Sequence, residues 1–215
     1  MKLTDYIADF LADRGIKHVF GLTGGAVVHL FDSVARHSRM QPIFNHHEQA
    51  SAFAAQAYAR IKNGLGAAFF TTGPGSTNAL TGLCAAWLDS IPCIYISGQA
   101  RLAHTTRGKP IRQLGTQQLD IVSIVDHMTK YAVMVEDPQM IRYYLEKAVY
   151  IATTGRPGPV WIDLPLDMQW SSIDPHKLRR FDPIELSASI GANGTESRFE
   201  KCAQWLSQAK RPLML

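Results

Sequence analysis

The chain has 215 residues, of which 46% are hydrophobic and 19% charged, with 16 glycines, a composition that excludes disorder and leaves room for one or two packed domains. Twenty-two basic residues against 18 acidic ones leave a net charge of +4, too thin and too scattered an excess to indicate nucleic acid or membrane binding. Three widely spaced cysteines, Cys84, Cys93 and Cys202, form neither a disulfide framework nor a zinc motif.

At the amino terminus Thr4 is placed to cap a helix through Asp13, with Tyr6, Ile7, Phe10 and Leu11 on one face and Gly15 as the stop. Asp5, Asp9 and Asp13 interrupt any signal-peptide core, and no apolar run reaches the about 18 residues of a membrane span, so the chain reads as cytoplasmic. A strand over residues 18–20 precedes a glycine-rich turn, Gly21 to Gly25, and a helix over 26–37 with Val27, Leu30, Phe31 and Val34 in register. The same unit recurs. A strand ending at Ile43-Phe44 leads into a helix over 49–61; a buried strand over 66–71 leads into a small-residue helix over 75–87; another buried strand covers 91–97. Such alternation predicts an α/β fold, a doubly wound and mostly parallel sheet with helices on both faces.

Residues 99–118 break the pattern. They carry Arg101, His104, Arg107, Lys109 and Arg112 without an acid and read as a long loop, either solvated or able to attract a phosphorylated, nucleotide-linked or CoA-linked ligand. A short helix over 120–125, a strand over 130–135, a helix over 138–152 and a strand over 160–162 follow. The first domain is expected to end at Leu166, residues 167–193 to be a linker rich in Pro and Ser, and 194–215 to open a second domain. That second domain starts with a helix over 196–208 and breaks off in the opening of a strand at 211–215, which reads as truncation.

Open α/β sheets bind ligands at the carboxyl ends of their strands, so the loops there are where chemistry is expected. They read Leu22-Thr23-Gly24-Gly25, Asn45-His46-His47-Glu48-Gln49, Thr71-Thr72-Gly73-Pro74-Gly75-Ser76-Thr77-Asn78 and Ser97-Gly98-Gln99. Each alone has a plain structural reading: paired glycines as a tight turn, Gly-Pro-Gly as a cap, Glu48 as a first-turn acid, His46 and His47 as structural or wall residues. No G-x-G-x-x-G turn follows the first strand, which argues against a dinucleotide oxidoreductase.

In order, F-G-L-T-G-G, H-E-Q, A-A-x-A-Y-A-R, T-T-G-P-G-S-T-N-A-L-T-G, D-S-I-P, S-G-Q, T-K-Y and G-R-P-G-P-V-W-I-D resemble the amino-terminal pyrimidine-binding domain of thiamine-diphosphate enzymes of the acetolactate synthase type. The resemblance runs from residue 1 to about 170. It implies that Glu48 hydrogen-bonds the cofactor's aminopyrimidine and promotes proton removal from C2, as a carboxyl group in a dry pocket can. It also implies that Gly24 and Gly25 lie near the reacting centre, that Pro74 and Asn78 lie beside the cofactor, and that Gln117 matches the Gln of the family's F-Q-E segment. The implied reaction is decarboxylation of a 2-keto acid such as pyruvate and transfer of the two-carbon unit to an acceptor. A decarboxylase or oxidase without ligation, and a non-catalytic module that kept the fold, are the alternatives; Glu48 argues against the last.

Two departures stand out. Thr116-Gln117-Gln118 replaces F-Q-E, which puts the acceptor in question, and Asp126 stands where such synthases carry an Arg that helps to hold FAD, which leaves FAD open. The family holds Mg2+ and the diphosphate with G-D-G and a downstream Asn in a third domain; no G-D-G occurs here and no metal ligands are assigned. Because in the family one subunit's pyrimidine domain faces another's diphosphate domain, a homo-oligomer is implied.

Overall fold

The structure, a computed structural model, describes residues 1–187 and 196–212. It divides into two compact units, Met1–Phe181 and Asp182–Leu215. In the first, six strands, β1 (His18–Gly21), β2 (Gln41–Phe44), β3 (Gly66–Phe70), β4 (Cys93–Gln99), β5 (Tyr131–Met134) and β6 (Val160–Pro165), form one sheet in the order β2-β1-β3-β4-β6-β5. Every pairing is parallel. Eight helices alternate with them: α1 (Leu3–Asp13), α2 (Val28–Arg36), α3 (Glu48–Lys62), α4 (Pro74–Asn78), α5 (Leu80–Leu88), α6 (Ile121–Val125), α7 (Ile141–Thr153) and α8 (Leu166–Gln169).

Strand alternation sends side chains to two cores. Phe69, Ile94, Ile96, Val160 and Ile162 pack with Leu3, Ile7 and Leu11 of α1, Leu30 and Val34 of α2, and Leu145 of α7. Phe70, Tyr95 and Trp161 face the other way and pack with Ala52 and Ala55 of α3, Leu83 of α5, and Ile121 and Val125 of α6. The doubly wound α/β sheet expected from the sequence is present. Trp161 stacks on Phe70 at 5.6 Å between ring centroids, and its indole Nε1 donates to Ser97 Oγ at 2.7 Å, so the polar edge of a fully buried ring is satisfied.

Three local expectations are corrected. Thr4 does not cap α1: the helix opens two residues earlier, with Lys2 at the cap position, and the buried Thr4 hydroxyl accepts from Ser33 Oγ at 2.8 Å. The single helix read over 75–87 is two, because the Ala79 amide bonds back to Ser76 O in a tighter three-residue turn. The strands read as ending at Ser97 and Ile162 run on to Gln99 and Pro165, which puts Gln99 and Asp163 inside the sheet. Asp5 and Asp13, two of the acids that interrupt the amino-terminal apolar pattern, pair with Arg36 and Arg39, and Asp9 meets the His37 ring at 3.1 Å.

The first unit continues past Leu166. Gln169 is fully buried, Ile173 and Leu178 join the core, and Phe181 N donates to Glu146 Oε2, so residues 167–181 of the segment read as linker are packed in this unit. The second unit contains α9 (Ile184–Ser187) and α10 (Glu196–Gln208); linker residues 188–193 and strand residues 213–215 lie outside the described residues. Among the described residues no helix is long and apolar enough to cross a membrane.

Candidate active site

α3 is built from strong helix formers, six of its 15 residues being alanine. His47 caps it, its ring Nδ1 accepting from Gln49 N at 3.1 Å, and Asn63 closes it in the left-handed conformation at φ 49°. Glu48 is therefore the first helical residue after β2. It is 7% exposed, and its Oε2 accepts from Asn78 Nδ2, at the end of α4, at 2.9 Å. Among the described residues Oε1 takes no hydrogen bond. A Cβ placed on Gly75 would stand 3.2 Å from Oε1 and 2.5 Å from Thr71 Cγ2, so the absence of a side chain at Gly75 lets the Thr71 methyl and the Glu48 carboxylate approach the backbone closely.

Thr71 joins this carboxylate to the first loop. Its Oγ1 accepts from Ala26 N at 3.3 Å, and a Cβ on Gly24 would lie 2.5 Å from Thr71 Cβ. The backbone of Gly24 thus lies against the same threonine that abuts Gly75 and, through it, Glu48. Gly25 starts the next turn with nothing within 4 Å of where its Cβ would be, so this stretch of backbone is free to be approached. Pro74 occupies the first position of α4 and is exposed, where its lack of an N–H costs no hydrogen bond.

Gln117 reaches the group through its backbone. Gly73 has φ +63°, and a Cβ there would come within 2.3 Å of Gln117 O, which also accepts from Thr72 Oγ1 at 3.3 Å. Gln117 itself is in the left-handed region at φ 55°, a conformation costly for a residue with a side chain and one that marks constrained sites. Thr72 Oγ1 donates to Gln99 Oε1 at 2.9 Å, and Gln99 Nε2 donates to Asp163 Oδ2 at 2.9 Å. Asp163 is fully buried, and desolvation pushes its carboxyl up to about 7 against the hydrogen bonds from Ser97 and Gln99 that favour the charged form.

The structure therefore gathers Gly24, Glu48, Pro74 and Asn78 at one end of the sheet and holds Gln117 against Gly73 beside them. Gly25 adjoins them without touching Glu48. Sequence reasoning placed His47, Thr71 and Gln99 in the loops at the strand ends but gave them none of these roles. The N-cap role of His47 was readable from its place before a helix; Thr71 and Gln99 become visible only when three loops meet. The basic loop is largely occupied internally: Arg107 pairs with Glu136, Arg101 lies 5.3 Å from the Trp170 ring, and Lys109 Nζ bonds carbonyls of its own loop. Among the described residues no group of three His, Cys, Asp or Glu side chains is placed to hold a metal ion.

Residues 1–124 match the family described as thiamine pyrophosphate enzyme, N-terminal TPP binding domain. The acetolactate synthase large subunit of Haemophilus influenzae is 33% identical over 98% of the chain and 36% of its own length. The chloroplastic acetolactate synthase of Arabidopsis thaliana is 32% identical over 99% of the chain and 31% of its own length. A probable acetolactate synthase large subunit of Methanocaldococcus jannaschii is 34% identical over the whole chain and 35% of its own length. The chain thus spans about a third of the length of the curated relatives it matches.

Proposed function

The chain belongs to the thiamine pyrophosphate enzymes, as an N-terminal TPP-binding domain, and on that premise we propose that it is the pyrimidine-binding portion of an acetolactate synthase-type carboligase. The reaction is decarboxylation of a 2-keto acid, pyruvate first among them, and transfer of the two-carbon unit to an acceptor. When bound, thiamine diphosphate supplies the carbon acid and the electron sink for that decarboxylation.

Glu48 carries the reading: a nearly buried carboxylate with one oxygen oriented by Asn78 and the other free beside a glycine. That donor set fits an aminopyrimidine. Oε1 would share a proton with the ring nitrogen N1′, while Asn78 fixes the carboxylate so that little reorganisation accompanies proton movement. Gly25 leaves its backbone open to a flat ring, Gly24 and Gly75 let Thr71 pack close beside the carboxylate, and Pro74 and Gln117 would border the ring. A solvated surface glutamate would need none of these arrangements, which weighs against the non-catalytic module.

Mg2+ and the diphosphate would be held by a further domain facing this edge, supplied by a second copy in a cytoplasmic homo-oligomer, and residues from 194 onward would begin the domain that links the two. FAD is not assigned, since Asp126 is exposed and acidic where such synthases carry an arginine. Product analysis of the full-length protein with pyruvate, thiamine diphosphate and Mg2+ tests the carboligase reading. A C–C ligation product is expected; acetaldehyde or acetate alone, with every added acceptor, would shift the assignment to a decarboxylase or oxidase.

A further inference from the structure

A cavity of about 430 Å³ opens at the carboxyl ends of β4, β5 and β6; it shares Gln99 and Asp163 with the network behind the candidate active site, but none of Gly24, Gly25, Glu48, Pro74, Asn78 and Gln117 lines it. Its volume is that of small-molecule sites. Leu119, Val122, Val133 and Met134 supply apolar walls, and Gln99, Gln118 and Asp163 supply polar ones. Gln118 is 7% exposed, and its Nε2 donates to Thr106 Oγ1 at 3.2 Å. Its Oε1 is buried without a hydrogen-bond partner. Native structures rarely leave such an oxygen unsatisfied; of the two among the described residues, Gln118 Oε1 and Gln169 Oε1, only the first belongs to a residue that lines this cavity, where a donor from outside the chain could meet it.

The charges around the cavity restrict what that donor belongs to. Arg107 is paired with Glu136, and Asp120 accepts from the backbone and hydroxyl of Ser123. Both oxygens of Asp163 accept hydrogen bonds, from Ser97 at 2.6 Å and from Gln99 at 2.9 Å. A charged ligand would lose its hydration and find no unpaired counter-charge on these walls. We infer that this cavity is a second ligand site, which takes a small neutral molecule whose N–H or O–H donates to Gln118 Oε1 while its apolar body packs on Leu119, Val122 and Met134. The inference does not depend on the role of Glu48.

Benzamide, an amide donor on an apolar ring, is a suitable probe, and benzoate, of the same shape with a negative charge, is its control. Titrated into the full chain and followed by proton–nitrogen correlation NMR, benzamide should shift the Gln118 side-chain amide and the Leu119 backbone amide saturably, and benzoate should not. Gln118→Leu should weaken benzamide binding by about tenfold or more. Val122→Phe, which fills the cavity from another wall with Gln118 intact, should do the same. Shifts that do not saturate, or that fall elsewhere, would mean that the cavity holds only water and would overturn the assignment. Benzoate binding as tight as that of benzamide would overturn the neutral class of ligand.

Discussion

Asn78 Nδ2 donates to Glu48 Oε2 at 2.9 Å, joining the end of α4 to the first turn of α3. The two helices follow β3 and β2, which are not neighbours in the sheet, since β1 runs between them. One hydrogen bond thus fixes the relation of two loops that the chain builds separately. Asn78→Ala should cost about 0.5–1.5 kcal/mol in chemical denaturation. Asn78→Asp should cost more at pH 7 than at pH 4.5, because two ionised carboxylates would then face each other. Adding Glu48→Gln should remove that pH dependence. A loss relative to the parent that is the same at both pH values would show that the contact does not form in solution.

Glycines at this edge divide by what surrounds them. Gly73→Ala meets both a positive φ and the Gln117 carbonyl, so urea unfolding should show a loss of about 1–3 kcal/mol. Gly25→Ala points into open space and should leave the midpoint within error of the parent chain, with any effect confined to ligand binding. Equal losses at the two positions would contradict this division.

Most of the architecture was legible because it rests on local patterns. Fully buried strands such as Gly66–Phe70 and Cys93–Gln99 stand out as apolar runs between small-residue turns, and α7 carries its own periodicity. The site was legible in part. Glu48, Pro74 and Asn78 lie in stretches of unusual composition, whereas Thr71 and Gln99 matter through partners, Ala26 and Thr72, that are 45 and 27 residues away in sequence. The break at Ala79 was not read, although Gly75-Ser76-Thr77-Asn78 before it are weaker helix formers than the Leu- and Ala-rich residues after it.

Asp163 sets a pH dependence. Its carboxyl, ordinarily at 3.8, is pushed up to about 7 in the fold, chiefly by desolvation. The native state therefore holds this proton more tightly than the unfolded chain does. Between those two values the native state binds more protons, and stability falls as pH rises. Thermal melts should show this decline across pH 4 to 7, and Asp163→Asn should flatten it. A melting temperature that rises across the same window in the parent and is unchanged by the substitution would show that Asp163 is ionised throughout.

Assembly is expected from the outer face of α3 and α5. Their inner sides pack on the sheet, yet Phe53, Trp87 and Leu88 stay exposed, Leu88 at 66%. Exposed apolar side chains on these two helices would suit contact with the second copy proposed above. Static light scattering at micromolar concentration should report a mass above the monomer, and Leu88→Arg should reduce it. A monodisperse parent monomer would contradict the homo-oligomer.

The most direct test of the assigned role of Glu48 is C2 proton exchange of thiamine diphosphate bound to the full-length protein, followed by NMR after deuterium quench. Loss of a positioned acid–base group typically costs about 10²–10⁴ in rate, so Glu48→Gln should slow exchange by that order while circular dichroism and cofactor binding stay near those of the parent. Exchange by the variant within a few-fold of the parent rate, with the cofactor bound, would contradict the assignment of Glu48 as the activating carboxylate.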